Sequence, residues 1–174
     1  MMQGWWRNRR GEWFVIGQVL LFALIGFGPA RWPLTWPTWT PPGFSSWSMT
    51  PKPMVAIGLG VAGVVLILGG LGLIGAGLFY LGPNLTPLPY PKADGVLVER
   101  GAYGLVRHPI YSGLVLAAFG WACLRMGLLT GFYAALLLVF FDIKSRREER
   151  WLGEKFPAYA AYQRRVKKLI PGVY

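Results

Sequence analysis

Charge is what this sequence has least of. Only 14% of its 174 residues are charged, against roughly 25% in an ordinary soluble domain, so a water-exposed fold would lack polar surface. The shortage is one-sided, with seven acidic residues against eighteen basic ones. The single cysteine, Cys123, excludes an intrachain disulfide, and no CxxC or Cys/His cluster suggests a structural metal. Histidine also occurs once, at His108. What remains is 54% hydrophobic and 16% aromatic, with positive mean hydropathy. The chain reads as an integral membrane protein, and its length fits one domain. A net charge of +11 would suggest nucleic acid in a soluble protein. Here the basic residues flank apolar runs, which favours contact with anionic lipid and control of topology.

The N-terminal MMQGWWRNRRGEW has the basic start of a signal peptide. No small-residue cleavage site follows the next apolar run, so that run is expected to be a retained helix. It covers residues 13–30, with Gln18 its only polar side chain, and is long enough to span, since about 20 residues cross the hydrocarbon core. Residues 31–53 are rich in Trp and Pro. The prolines forbid a regular helix, and Trp32, Trp36, Trp39 and Trp47 suggest an interfacial belt in an outer loop. Residues 54–81 are apolar and uncharged, with two GxGxxG matches that begin at Gly58 and Gly70. A dinucleotide fingerprint needs a preceding strand and a helix start. These matches lie inside a spanning run, where small residues let helix backbones approach.

Residues 82–99 return to loop chemistry, with four prolines and an extended-looking piece at 95–98. Pro109 suits the first turn of a helix, so 109–124 is a third span. Arg125-Met126-Gly127 is a turn, and 128–141 is a fourth span. These two arms are short for a full crossing and are expected to form a tilted hairpin. The last helix should run on into water through 142–155. Beyond Pro157, the apolar residues Tyr159, Tyr162, Val166 and Leu169 recur at helical spacing among Lys and Arg, which predicts an interfacial amphipathic helix. The expected fold is an all-α integral membrane protein with about four transmembrane helices and a cytoplasmic C-terminal amphipathic helix. It forms a single membrane domain over 1–174. Residues 13–81 supply two helices and the outer loop, and 82–174 the catalytic, cofactor-binding half.

With both termini inside, fifteen basic residues lie on the cytoplasmic side, and only Arg31, Lys52 and Arg125 lie outside. That bias supports an N-in, C-in multi-pass topology. It puts His108 and Glu148 on one membrane face. No ionisable residue falls near a midplane, which argues against an ion or proton pathway. Charge gathers instead in two stretches, DGVLVERGAYGLVRHPIYSG at 94–113 and KSRREERWL at 144–152. Lys144 and Glu148 are helical neighbours, with Glu149 on an adjacent face. Together with Arg107 and His108 they offer cations for a carboxylate and a carboxylate for an amine or a ribose. Residue types alone also allow a turn at His108-Pro109 and a solvated helix end at 144–150.

The full pattern goes further. Gly101, Tyr103, Arg107-His108-Pro109, Tyr111 and Gly113, followed by Glu148-Glu149, Leu152, Phe156, Tyr159, Tyr162, Arg165 and Pro171, resemble the isoprenylcysteine carboxyl methyltransferase and phospholipid methyltransferase family of membrane enzymes. The resemblance runs from Gly82 onward. It implies an S-adenosylmethionine-dependent methyltransferase with cofactor contacts from Gly95, Val96, Leu97, Val98, Tyr103, His108, Pro109, Tyr111 and Glu148. It also implies a substrate-binding basic residue one turn before the glutamate. Here that position is Lys144, where an arginine is expected, and lysine lacks the bidentate fork. Arg146 or Arg147 could supply it.

Chemically, the cofactor's amine, carboxylate, adenine and sulfonium need a polar pocket walled by aromatics. Tyr103 and Tyr111 suit the cation, and Arg107 or His108 suits the carboxylate. A carboxylate acceptor needs no base. An amine must lose a proton first, with Glu149 or His108 as candidates. The catalytic candidates are therefore Arg107, His108 and Glu149, and the substrate-binding candidates Lys144 and Arg147. The expected partners are a lipophilic or lipid-modified acceptor and anionic membrane lipids, with no nucleic acid and no metal. Two other readings are a membrane reductase of steroid or enone type, which needs a nicotinamide site, and a non-enzymatic scaffold with a lipid-binding basic tail.

Overall fold

A computed structural model describes residues 12–29, 53–86, 92 and 94–174, and among these the chain is helical with no strand. Six helices follow in order: α1 (Glu12–Phe27), α2 (Pro53–Leu81), α3 (Ala102–Leu105), α4 (Pro109–Arg125), α5 (Leu128–Lys155) and α6 (Tyr159–Arg165). The apolar runs set the four long ones. Pro109 opens α4 from the N1 position, where its missing N–H costs nothing. Met126 closes α4 in a left-handed conformation, and its N–H returns to the carbonyls of Ala122 and Cys123. The α4–α5 turn thus falls at Met126-Gly127, and α5 runs unbroken from apolar residues into the charged 142–155 stretch. The basic N-terminal segment and the expected tryptophan belt lie outside the described residues.

α2 and α5 are long and apolar enough to cross a membrane, whereas α1 and α4 are shorter apolar helices. α2 and α4 pack antiparallel along a glycine seam. A Cβ at Gly63 would lie 2.8 Å from the Gly120 carbonyl oxygen, and one at Gly70 would lie 2.5 Å from that of Gly113. Two turns further, a Cβ at Gly77 would stand 2.7 Å from Ile110. Gly63, Gly70 and Gly77 therefore form a heptad row, and their missing side chains let the two backbones touch. Gly58, Gly60, Gly69, Gly72 and Gly75 meet nothing within 4 Å. Both GxGxxG matches lie within this helix. The core lies on the other side of α4, where Ile25, Val115, Ala118, Ala134, Leu137 and Phe141 form one buried cluster of α1, α4 and α5. Trp121 Nε1 and Arg125 both donate to carbonyls at the end of α1, which fixes α1 against the bundle.

The C-terminal helix is shorter than the periodicity predicts. α6 ends at Arg165, and Val166 is already extended. The next residues run beside the start of α4, with a bridge between Val106 and Lys167. Arg107 and His108 N–H groups donate to the carbonyls of Lys167 and Lys168 at 2.8 and 3.2 Å. Backbone pairing with the 106–108 segment displaces helix here. Val166 and Leu169 therefore do not continue the apolar face of α6, and Leu169 is buried beyond its end while Val166 is only half-buried.

Candidate functional site

Gly101 sets up one wall. Its φ of 62° is disfavoured for other residues, and the Tyr80 ring of α2 occupies the space a Cβ would need. α3 starts at once and buries Tyr103. Tyr162 of α6 donates its hydroxyl to the Tyr103 carbonyl at 2.6 Å, locking α6 to α3. The 95–98 segment is non-helical. The Val96 N–H donates to Asn84 Oδ1 at 3.0 Å, which ties it to the end of α2. No hydrogen bond uses the backbone of Leu97 or Val98 among the described residues.

Between these elements, α1, α4 and α5 lies a cavity of about 300 Å³, at the lower end of the range for small-molecule sites. Its lining includes Gly95, Val96, Leu97, Val98, Tyr103, Arg107, His108, Tyr111, Lys144 and Glu148. Ten of the residues singled out from sequence therefore meet at one place. Three others do not line it. Pro109 is buried beneath Gly77, Arg147 stacks on Phe14 and Trp151, and Glu149 sits behind the wall.

Glu149 is the hub of that second layer. Arg107 Nε donates to its Oε1 at 2.8 Å, His108 Nε2 lies 3.1 Å from the same oxygen, and Gln163 donates to Oε2 at 3.1 Å. A carboxylate only accepts, so the His108 contact needs a proton on Nε2. Glu149 lies on the charged extension of α5, eight residues past Phe141, where the apolar run ends. Burial pushes its carboxyl up, but the hydrogen bonds and charges of His108 and Arg107 outweigh that and hold it at about 2. Arg107 also donates to the carbonyls of Gln163 and Val166, so its guanidinium is largely committed to the protein.

Glu148, one residue earlier, turns into the cavity. Its Oε2 accepts from the Tyr111 hydroxyl at 2.9 Å and lies 3.9 Å from His108 Nδ1. Tyr111 is sandwiched between His108 and Phe141, with ring centroids 5.4 and 4.5 Å away and planes within 8° of parallel. The stack fixes the plane of the imidazole.

Tyr159 and Tyr162 also line the cavity; the sequence placed them on an amphipathic helix and in the family pattern, without a contact role. Burial pushes the hydroxyls of Tyr159 and Tyr162 well above their usual value. Burial, aided by the nearby Glu148 carboxylate, does the same at Tyr103. All three remain protonated donors at neutral pH. The Tyr159 hydroxyl is buried and has no hydrogen-bond partner among the described residues, a state that costs free energy unless a ligand relieves it. Gln18, Asn84 and Gln163 were also missed as site residues. Only Gln18 carried a signal, as a lone polar residue in an apolar run.

The site can hold a small charged molecule. It offers a carboxylate (Glu148), an ammonium (Lys144), an imidazole, aromatic faces, an unsatisfied hydroxyl and unpaired backbone at 97–98. A family model described as phospholipid methyltransferase matches residues 59–158, a stretch that runs from α2 to just past α5. The cobalt-zinc-cadmium resistance protein CzcN of Cupriavidus metallidurans is similar, 28% identical over 166 residues. That alignment takes in 95% of this chain and 64% of the relative, so the chain spans a little under two thirds of the relative's length. With more than half of its length matched by the family model, the chain belongs to the phospholipid methyltransferase family, a family of methyltransferases.

Proposed function

We propose that the protein is an S-adenosylmethionine-dependent methyltransferase that modifies a lipophilic acceptor within the membrane. In this reading four helices (α1, α2, α4 and α5) span the bilayer as one domain, both ends are cytoplasmic, and the cavity opens on the cytoplasmic face. The basic residues of α5 and α6 rest on anionic lipid.

The observation that carries the proposal is the convergence of the 95–98 segment, Tyr103, His108, Tyr111 and Glu148 on one cavity. These residues fit the cofactor group by group. Glu148 suits the amine, and the unpaired Leu97 and Val98 backbone suits the adenine edge. The aromatic face of Tyr103 suits a sulfonium. Tyr111, covered on both faces by His108 and Phe141, holds Glu148 in place. The Tyr159 hydroxyl, without a partner among the described residues, supplies a donor. When bound, S-adenosylmethionine supplies an electrophilic methyl group. The protein's task is then alignment, which can contribute several kcal/mol in an in-line displacement. Pro109 starts α4 and so aims His108, while Arg107 and Glu149 brace the imidazole from behind. His108 is the candidate base for an amine acceptor, and a carboxylate acceptor needs none. Lys144 is placed to meet the acceptor, and Arg147 lies against Phe14 and Trp151 at the lipid-facing side. The cobalt-zinc-cadmium resistance named for the relative is not assigned to this chain.

Calorimetric titration of the detergent-purified protein with S-adenosylmethionine tests this, with His108→Ala and Glu148→Ala alongside. Saturable binding that both substitutions weaken supports the proposal. A folded sample that binds a nicotinamide cofactor and not S-adenosylmethionine would instead favour the reductase reading.

A further inference from the structure

α1 lies outside the residues matched by the family model, yet it contributes Val15, Gln18 and Val19 to the cavity wall. Gln18 Oε1 accepts a hydrogen bond from Lys144 Nζ at 2.7 Å, across 126 residues of sequence. Lys144 is 3% exposed. Its ammonium lies 5.1 Å from the Tyr111 ring centroid and 5.8 Å from that of Phe141. An ammonium has three N–H donors, and Gln18 takes the one hydrogen bond Lys144 makes among the described residues. No ion pair includes Lys144 there. Glu148, one turn along α5, accepts its hydrogen bond from Tyr111 and not from Lys144; it acts on the ammonium only through space, against the burial that lowers the Lys144 pKa.

A buried cation is costly unless it is paired. Evolution of a carboxylate at position 18 would have neutralised this one, but the residue present is a neutral amide. The amide fixes the ammonium in place and leaves its charge and two donors for something else. The cavity is where that something can reach it.

We infer that Gln18 is a positioning residue that sets acceptor specificity. It holds Lys144 toward the cavity and, being neutral, preserves a positive field that selects amphiphiles with an anionic head over those with a cationic head. The apolar tail lies along Val15 and Val19 of α1 and Leu78 of α2. This inference rests on the methyltransferase reading and deepens it, because it gives α1, which lies outside the matched residues, a part in the choice of acceptor beside Lys144, which lies within them.

The test compares two probes with the same tail, a diazirine-bearing palmitic acid and the matching diazirine-bearing alkyl amine, in titrations of detergent-purified protein at neutral pH. The wild type is expected to prefer the carboxylate by about tenfold or more, and Gln18→Glu to reduce that ratio by about tenfold, since close charge pairs couple strongly in desolvated sites. Gln18→Leu removes the hydrogen bond without adding charge. It should weaken the carboxylate probe by about fivefold and leave the amine probe unchanged, as loss of one hydrogen bond warrants. A role limited to fastening α1 would move both probes together. No head-group preference in the wild type, or an unchanged ratio in both variants, overturns the inference. S-adenosylmethionine binding by the same wild-type sample is read separately. If it fails while the preference holds, the methyltransferase reading falls and the anionic subsite stands. If it holds while the ratio is unmoved in the variants, the inference on Gln18 falls alone.

Discussion

Arg107 and Glu149, 42 residues apart in sequence, form a 2.8 Å ion pair in which each side chain is only 11% exposed. The pair ties the start of α4 to the charged end of α5, and Gln163 extends it to α6. His108 shares the same carboxylate oxygen. The imidazole's position therefore depends on a brace behind the cavity, and removing either member leaves the other buried without its partner.

That brace should be expensive to break. Arg107→Ala or Glu149→Ala is expected to lower stability by about 3 kcal/mol, the scale for orphaning one member of a buried pair. Thermal unfolding in detergent measures it. A melting temperature equal to wild type in both variants would show that the pair contributes nothing.

The same carboxylate gives a pH dependence. Folding lowers the Glu149 pKa from 4.5 to about 2, so the folded state favours the ionised form. Its contribution is complete above pH 4.5 and is lost as pH falls toward 2. Stability measured from pH 7 down to pH 3 should drop less steeply on the acid side in Glu149→Gln than in wild type. Parallel curves would contradict the assignment.

The glycine seam supplies an internal control within one helix. A Cβ at Gly70 would lie 2.5 Å from the Gly113 carbonyl oxygen, while one at Gly69 meets nothing within 4 Å. Gly70→Ala should cost about 1–3 kcal/mol, as overpacking does. Gly69→Ala should be neutral or slightly stabilising, since it also removes a helical glycine. Unfolding midpoints of the two variants decide it, and equal midpoints would dissolve the seam.

Two tyrosines one helical turn apart should respond in opposite ways. Tyr162→Phe removes a buried hydrogen bond to Tyr103 and should cost about 1 kcal/mol. Tyr159→Phe removes a hydroxyl with no partner among the described residues. Stability should hold or rise, while affinity for S-adenosylmethionine falls. Unfolding and calorimetry on both variants check this, and a destabilised Tyr159→Phe with normal cofactor affinity would count against the assigned role.

These features differ in how far the sequence foretold them. The four long helices were legible because uncharged runs bounded by Pro, Gly or basic residues leave few alternatives. The glycines of α2 read as letting helix backbones approach, but which of them face a neighbour depends on α4, which begins some thirty residues after α2 ends. At the site, spacing put Glu148 and Glu149 on adjacent helix faces without saying which face meets the cavity. That depends on Tyr111 and Arg107 approaching from α4. Gln18 stood out as a lone polar residue, but its partner is 126 positions away. The amphipathic reading of Tyr159–Leu169 failed after Arg165 because backbone pairing with 106–108 is a tertiary effect, and it overrides local periodicity.

S-adenosylmethionine is proposed to occupy the cavity between α3, α4, α5 and α6. Ultraviolet cross-linking of radiolabelled S-adenosylmethionine to the detergent-purified protein, followed by peptide mapping, addresses it directly. Saturable labelling is expected, competed by unlabelled cofactor and recovered in peptides that contain residues 95–103 or Tyr159–Tyr162. Saturable label recovered only elsewhere, or no competed label in a folded sample, would contradict it.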